Sequence, residues 1–195
     1  LIINIEQVPT TYINLDQDTD KRLSMEQLLS KFTNVKRQPG ILPSESITPD
    51  MVVAVAHKAT IASQDSLPFL VLEDDCFEYQ YRNMVDVPDD ADILFLGVWS
   101  NAKKSAQLKD IFKVHHMIGA HAIMYITDNG RLFMDSVLDE SIKTKVWHDK
   151  IFANMITEVN AYALNVPIFY QSSKKDYTFT EIESITNDTS KDLVL

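Results

Sequence analysis

Hydrophobic positions fall into two rhythms along this chain: short unbroken apolar runs, and stripes that return every three or four residues. Phe69 to Leu72 is the cleanest run, introduced by Pro68 and ended by Glu73, Asp74 and Asp75. An uninterrupted run of that length predicts a strand buried on both faces. Ile93 to Leu96, within Asp92 to Gly97, predicts a second such strand. Thr11 to Leu15, Asn34 to Arg37, Phe112 to Ile118 and His121 to Ile126 predict further strands, and Tyr162 to Tyr170 a last one that Pro167 assigns to a sheet edge. The helical rhythm appears in Met25, Leu28, Leu29 and Phe32, then in Met51, Val52, Val55, Ala59 and Ala62 through about Gln64. Thr48 and Pro49 suit the cap and first position of that second helix. Leu132, Phe133, Val137 and Leu138 suggest a third, and Ile151, Phe152, Met155, Ile156 and Val159 a fourth of about three turns that opens near Asp149.

Between these elements, Tyr79 to Asp90 reads as acidic and irregular, and Trp99 to Lys109 as a mobile polar loop. From Ser172 onward the chain is mostly polar, a lid, an extension or a disordered tail. Strands alternate with helices in the first half and cluster around residues 92 to 126. The expectation is an α/β sandwich around a mixed, mainly parallel sheet, one domain over 1–171 with an extension over 172–195.

Composition narrows the chemistry. The 195 residues are 45% apolar, enough for one core, and carry a net charge of −10. Such a surface argues against non-specific binding to nucleic acid or anionic membranes, and would repel a phosphorylated ligand unless a cation intervened. No apolar run approaches a membrane span and no signal peptide is visible, although a chain opening on Leu1 makes the missing targeting sequence weak evidence. Cys76 is the lone cysteine, so internal disulfides and cysteine zinc sites are excluded and a reducing cytoplasm is the expected home. With only four glycines, neither a P-loop nor a dinucleotide fingerprint fits.

Candidate chemistry gathers at Glu73, Asp74 and Asp75. Strand alternation sends Glu73 and Asp75 one way and Asp74 the other. Ligands collect outside the carboxyl ends of strands in open α/β sheets. Adjacent carboxylates must be solvated, protonated or bridged by a cation, and hard oxygen ligands suit Mg²⁺ or Mn²⁺. The competing reading is three acids that cap the next segment or face water.

Four blocks taken together resemble the family 25 glycosyltransferases, which include lipopolysaccharide and collagen galactosyltransferases. They are Tyr12-Ile13-Asn14-Leu15-Asp16 with Asp20-Lys21-Arg22, Ile47-Thr48-Pro49 running to Ala56-His57, Leu70 to Asp75, and Gly119-Ala120-His121-Ala122. The resemblance spans roughly residues 10 to 126 and is loose beyond. It implies a GT-A-like, Rossmann-like α/β/α fold and an inverting transfer of a sugar from a nucleotide donor, usually UDP-linked, to a hydroxyl on a glycan or other acceptor. It further implies the nucleotide at Asn14, Asp16, Arg22 and Asp74, the metal at Glu73, Asp74 and Asp75 with Asp75 the direct ligand, and a base at the start of a late helix. Asp149 is the candidate base, with His148 in reserve; an acid favoured by the helix dipole and an exposed histidine are the plain alternatives. His57 and His121 sit in matched blocks and read either as hydrogen-bonded structural histidines or as ligand contacts. Trp99 is a stacking candidate, while Gln171 and Ser172 follow the last strand without an assigned role. A catalytically degenerate glycan- or nucleotide-binding homologue and a nucleotidyltransferase are the competing functions.

Overall fold

A computed structural model describes residues 1–97, 104–108, 110–116, 119 and 121–171. Its first elements are β1 (Ile2–Asn4), a 3-10 turn (Ile5–Gln7), β2 (Thr10–Asn14), α1 (Thr19–Leu28), β3 (Val35–Pro39) and α2 (Pro49–Ala62). Next come β4 (Phe69–Glu73), β5 (Cys76–Glu78), β6 (Met84–Asp86), β7 (Ile93–Phe95), β8 (Lys104–Leu108), β9 (Ile111–Val114) and β10 (Ala122–Tyr125). The chain continues through α3 (Asp128–Thr144), α4 (His148–Met155), a 3-10 turn (Ile156–Glu158), β11 (Ala161–Leu164) and β12 (Phe169–Gln171).

Eight strands form the main sheet in the order β3-β2-β4-β10-β7-β11-β9-β8. The sheet is mixed and mainly parallel in direction: β10 and β9 run against the other described strands. Phe69 to Leu72 is buried on both faces, which divides the core in two. Phe69, Val71, Phe95 and Tyr125 pack with Ala54 of α2, Val137 and Leu138 of α3 and Phe152 of α4. Leu70, Leu72, Leu94 and Met124 face Met25 of α1, Leu29, Phe32 and the N-terminal residues Ile3, Ile5 and Val8. The result is an α/β/α sandwich. Two small antiparallel sheets, β1-β6 and β12-β5, flank it.

Several expected elements come out differently. The stretch from Tyr162 to Tyr170 is two strands: β11 lies inside the main sheet between β7 and β9, whereas β12 pairs with β5. Asn165 to Pro167 turns the chain between them, and Ile168 and Phe169 then donate to the Leu96 carbonyl. Proline here marks the break and not an edge. Part of the expected polar loop, residues 104–108, is the edge strand β8, and the supposedly irregular 79–90 stretch contains β6, paired with the unforeseen β1. Partner strands far away in sequence supplied the hydrogen bonds that local polarity argued against. Helix α1 stops at Leu28, yet Leu29 and Phe32 beyond it remain buried, so the apolar stripe outlasts the helix. Helix α4 is likewise short, its last apolar turn being 3-10. The strand expected over 112–118 ends at Val114. Trp99, Ser172 and the 172–195 extension lie outside the described residues. Among the described residues no helix is long and apolar enough to cross a membrane.

Candidate functional site

Strands β2 and β4 run parallel and adjacent, pairing Ile13 with Glu73, so both deliver polar residues to one edge of the sheet. Asn14 ends β2 and Glu73 ends β4. On the other side of β4 the direction reverses at β10, and the carbonyl of His121, just before that strand, accepts the Glu73 backbone N–H at 2.9 Å. A cavity of about 200 Å³ opens at this edge, lined among others by Asn14, Asp18, Lys21, Gly40, His57 and the three acids. Val52, Val53, Ala56 and His57 form its helical wall, one face of α2 at the spacing that brings successive turns into line. Gly40 allows the β3 end to close in: its N–H donates to the Asn14 carbonyl at 2.8 Å, and a Cβ there would sit 3.0 Å from the Leu15 side chain.

Each acid has its own surroundings. Asp74 accepts from Asn14 Nδ2 at 2.8 Å and from Lys21 Nζ at 3.1 Å. Burial works against the charge on Lys21, but the bond and the charge of Asp74 outweigh it and raise the lysine's pKa. Glu73 turns the other way, with Oε1 at 3.1 Å from His57 Nε2 and Oε2 accepting from Gln171 Nε2 at 3.3 Å. Its burial favours the acid form, yet the hydrogen bond and charge of His57 prevail and bring its pKa down to about 2. Asp75 Oδ2 accepts from the same Gln171 amide at 2.9 Å, whereas Asp75 Oδ1 is buried with no hydrogen-bond partner among the described residues. Burial first, and the neighbouring Glu73 second, push Asp75 up to about 6.

The arrangement is therefore a carboxylate ledge with one outstanding acceptor. Asp18, Glu73, Asp74 and Asp75 line the cavity against the ammonium of Lys21. A dication fits this donor set, because the orphaned Asp75 Oδ1 is the kind of buried oxygen that a cation satisfies.

The other anticipated residues are distributed unevenly around the ledge. Asp16 is largely exposed and bonds Arg37, which also donates to the Asn14 side chain at 3.3 Å. Arg22 lies beside Glu26 with its Nε 3.8 Å from Oε1, and does not line the cavity. Lys21 enters instead: Lys21 and Arg22 stand three and four residues after Asp18, both near its face of the helix, and only the packed structure sets Lys21 in the cavity lining. Asp149, in the first turn of α4, keeps Oδ1 3.8 Å from His148 Nδ1 and acts electrostatically on His121 and His148, outside the cavity lining.

His148 is not the exposed histidine expected but a buried one, 3% accessible, with neither ring nitrogen hydrogen-bonded among the described residues. Its burial, with His57 nearby, lowers its pKa. His121 is also fully buried, and burial draws it down to about 4 against the opposing charge of Glu73. Gln171 had no local signal. It reaches the ledge only because β12 pairs with β5 and sets Gln171 opposite Cys76. Cys76 itself is buried, its thiol bonded to the His121 carbonyl and pushed well up by burial, so it is a packing residue.

No protein-family model matches the chain, and no curated protein matches it by sequence. Solved structures do. A glycosyltransferase involved in the glycosylation of the major capsid of PBCV-1 superposes with a TM-score of 0.58 at 8% identity, over 87% of this chain and 94% of that one. A nucleoside-diphosphate-sugar pyrophosphorylase from Vibrio cholerae RC9 aligns with a TM-score of 0.47 at 10% identity, over 82% and 73% of the two chains. The first similarity shows the fold, that of the GT-A-like glycosyltransferases.

Proposed function

We propose that this protein is a metal-dependent, inverting glycosyltransferase of the family 25 type, moving a sugar from a UDP-linked donor to a hydroxyl on a glycan. One observation supports the reading above others: an anionic cavity at the carboxyl ends of parallel strands, on a GT-A-like fold, with a buried carboxylate oxygen left unsatisfied. About 200 Å³ is room for a sugar ring or a diphosphate and less than a whole ligand site of 300–1,000 Å³, so the cavity takes part of the donor. Asp75, with Glu73 and Asp74, would hold Mn²⁺ or Mg²⁺. The bound dication supplies positive charge against the departing diphosphate, which four carboxylates would otherwise repel.

The chain's own residues orient this machinery. Asn14 and Lys21 fix Asp74, while His57 and Gln171 fix Glu73, so that the acids are preorganised before a donor arrives. Asn14 also stands where the nucleotide passes the end of β2, with Asp16 and Arg22 as outer contacts. In the transfer an acceptor oxygen bonds to the anomeric carbon, the bond from that carbon to the diphosphate breaks, and the acceptor proton passes to a base. Asp149, partly exposed at the start of α4, is assigned that role.

Thermal melting with UDP, with and without Mn²⁺, tests the reading. UDP is expected to raise the melting temperature only with the metal, and Asp75→Ala to remove the effect. An equal rise in EDTA overturns metal dependence. Turnover of UDP-sugars by the unmodified chain separates an enzyme from a binding homologue, which would show binding and no product.

A further inference from the structure

Behind the ledge, His57, Glu73 and His148 bring one ligating atom each within 4.8 Å of one another. They come from three elements: the middle of α2, the last residue of β4 and the first residue of α4. The two imidazole rings lie 5.2 Å apart between centroids, tilted by 38°. Both are almost wholly buried, at 1% and 3% accessibility. His57 has Glu73 as its partner, whereas among the described residues neither buried nitrogen of His148 has a hydrogen-bond partner. A buried imidazole with neither nitrogen engaged is an unfavourable feature unless something satisfies it. We propose that His57, Glu73 and His148 bind a transition-metal dication of the zinc class.

The donor set selects the ion. Two imidazoles and a carboxylate suit Zn²⁺, Co²⁺ or Fe²⁺, while Mg²⁺ prefers oxygen alone. Three protein ligands leave a fourth position for water or another oxygen ligand. His57 and Glu73 also line the cavity, so an ion has a way in. Polar groups stand around the three residues. Gln171 donates to Glu73, and the Asp149 carboxylate lies 3.8 Å from His148 Nδ1, near enough to favour positive charge there but beyond hydrogen-bond distance. This centre is distinct from the oxygen ledge at Asp75 and does not depend on the transferase reading, although Glu73 joins the two.

The full chain, stripped with chelator and dialysed against Co²⁺ or Zn²⁺, should retain about one ion per molecule through gel filtration, measured by elemental analysis. The cobalt form should show visible d–d absorption. His57→Gln and His148→Gln should each weaken retention at least tenfold, while Asp75→Asn should keep it. X-ray absorption of the zinc-loaded wild-type chain provides a measurement independent of how the variants fold, and should show scattering from two imidazoles. The proposal is overturned if the wild-type chain retains no ion, if His148→Gln retains as much, or if the absorption spectrum shows oxygen ligands alone. Each of those outcomes leaves manganese-dependent UDP binding at Asp75 standing, and loss of that binding leaves the histidine centre standing.

Discussion

At the scale of single residues, Asp75 is where stability and function pull apart. Its carboxyl is buried beside Glu73, with one oxygen bonded to Gln171 and the other to none of the described residues. Because the fold raises its pKa from 3.8 to about 6, the metal-free protein takes up a proton on folding, and its stability falls as pH rises from about 4 to about 6. Asp75→Asn should therefore raise the melting temperature in EDTA at pH 7.5. The expected gain is roughly 3 kcal/mol, from about 1.4 kcal/mol per pKa unit. The same substitution should abolish the manganese-dependent response to UDP. A variant no more stable than the parent under those conditions refutes the electrostatic account of the ledge. Neighbouring Glu73, with a pKa of about 2, keeps its charge across this range. The acids were legible in the sequence because they follow a buried strand at once. Lys21 was missed in favour of Arg22, since cations three and four residues after Asp18 share its side of the helix and only packing separates them.

Elements meet at two junctions that can be tested. Asp92, just before β7, accepts from Thr127 Oγ1 at 2.5 Å, Asn129 Nδ2 at 3.1 Å and the Asn160 backbone N–H at 3.0 Å. It ties the start of α3 to the start of β11. Burial opposes its charge, but these donors prevail and lower its pKa. Its contribution is thus present above an unfolded value near 4 and lost as pH falls through the folded one. Asp92→Ala should cost about 3 kcal/mol at pH 7, given about 1.5–3 kcal/mol for a hydrogen bond to a charged group, and clearly less at pH 3, as urea melts would show. The second junction is Gly97, where a Cβ would stand 2.3 Å from the Phe169 carbonyl oxygen and 2.4 Å from His121 Nε2. Gly97→Ala must push β12 away, and Gln171 with it. Overpacking of this kind costs about 1–3 kcal/mol. It should also weaken UDP binding although residue 97 is outside the cavity lining; unchanged affinity in the folded variant contradicts the link from β12 to the ledge.

For the molecule as a whole, a net charge of −10 makes a nucleotide an unwelcome guest without a metal. With Mn²⁺ present and UDP at a hundred times its dissociation constant, stabilisation should reach about 2.7 kcal/mol, or several degrees by differential scanning fluorimetry. Without a divalent ion it should be near zero. What the sequence determined by itself was local. The four helices, the doubly buried β4, the acids at its end and the α/β layering follow from short-range periodicity and an abrupt change from apolar to charged residues. Tertiary structure alone decided the rest. Gln171 meets Glu73 and Asp75 across nearly a hundred positions of chain, and β11 enters the main sheet while β12 leaves it. His148 is buried against His57 although its sequence neighbours, Trp147 and Asp149, are not. Each depends on which distant strand or helix supplies the hydrogen bonds and the apolar cover, and that pairing is fixed only when the whole chain packs.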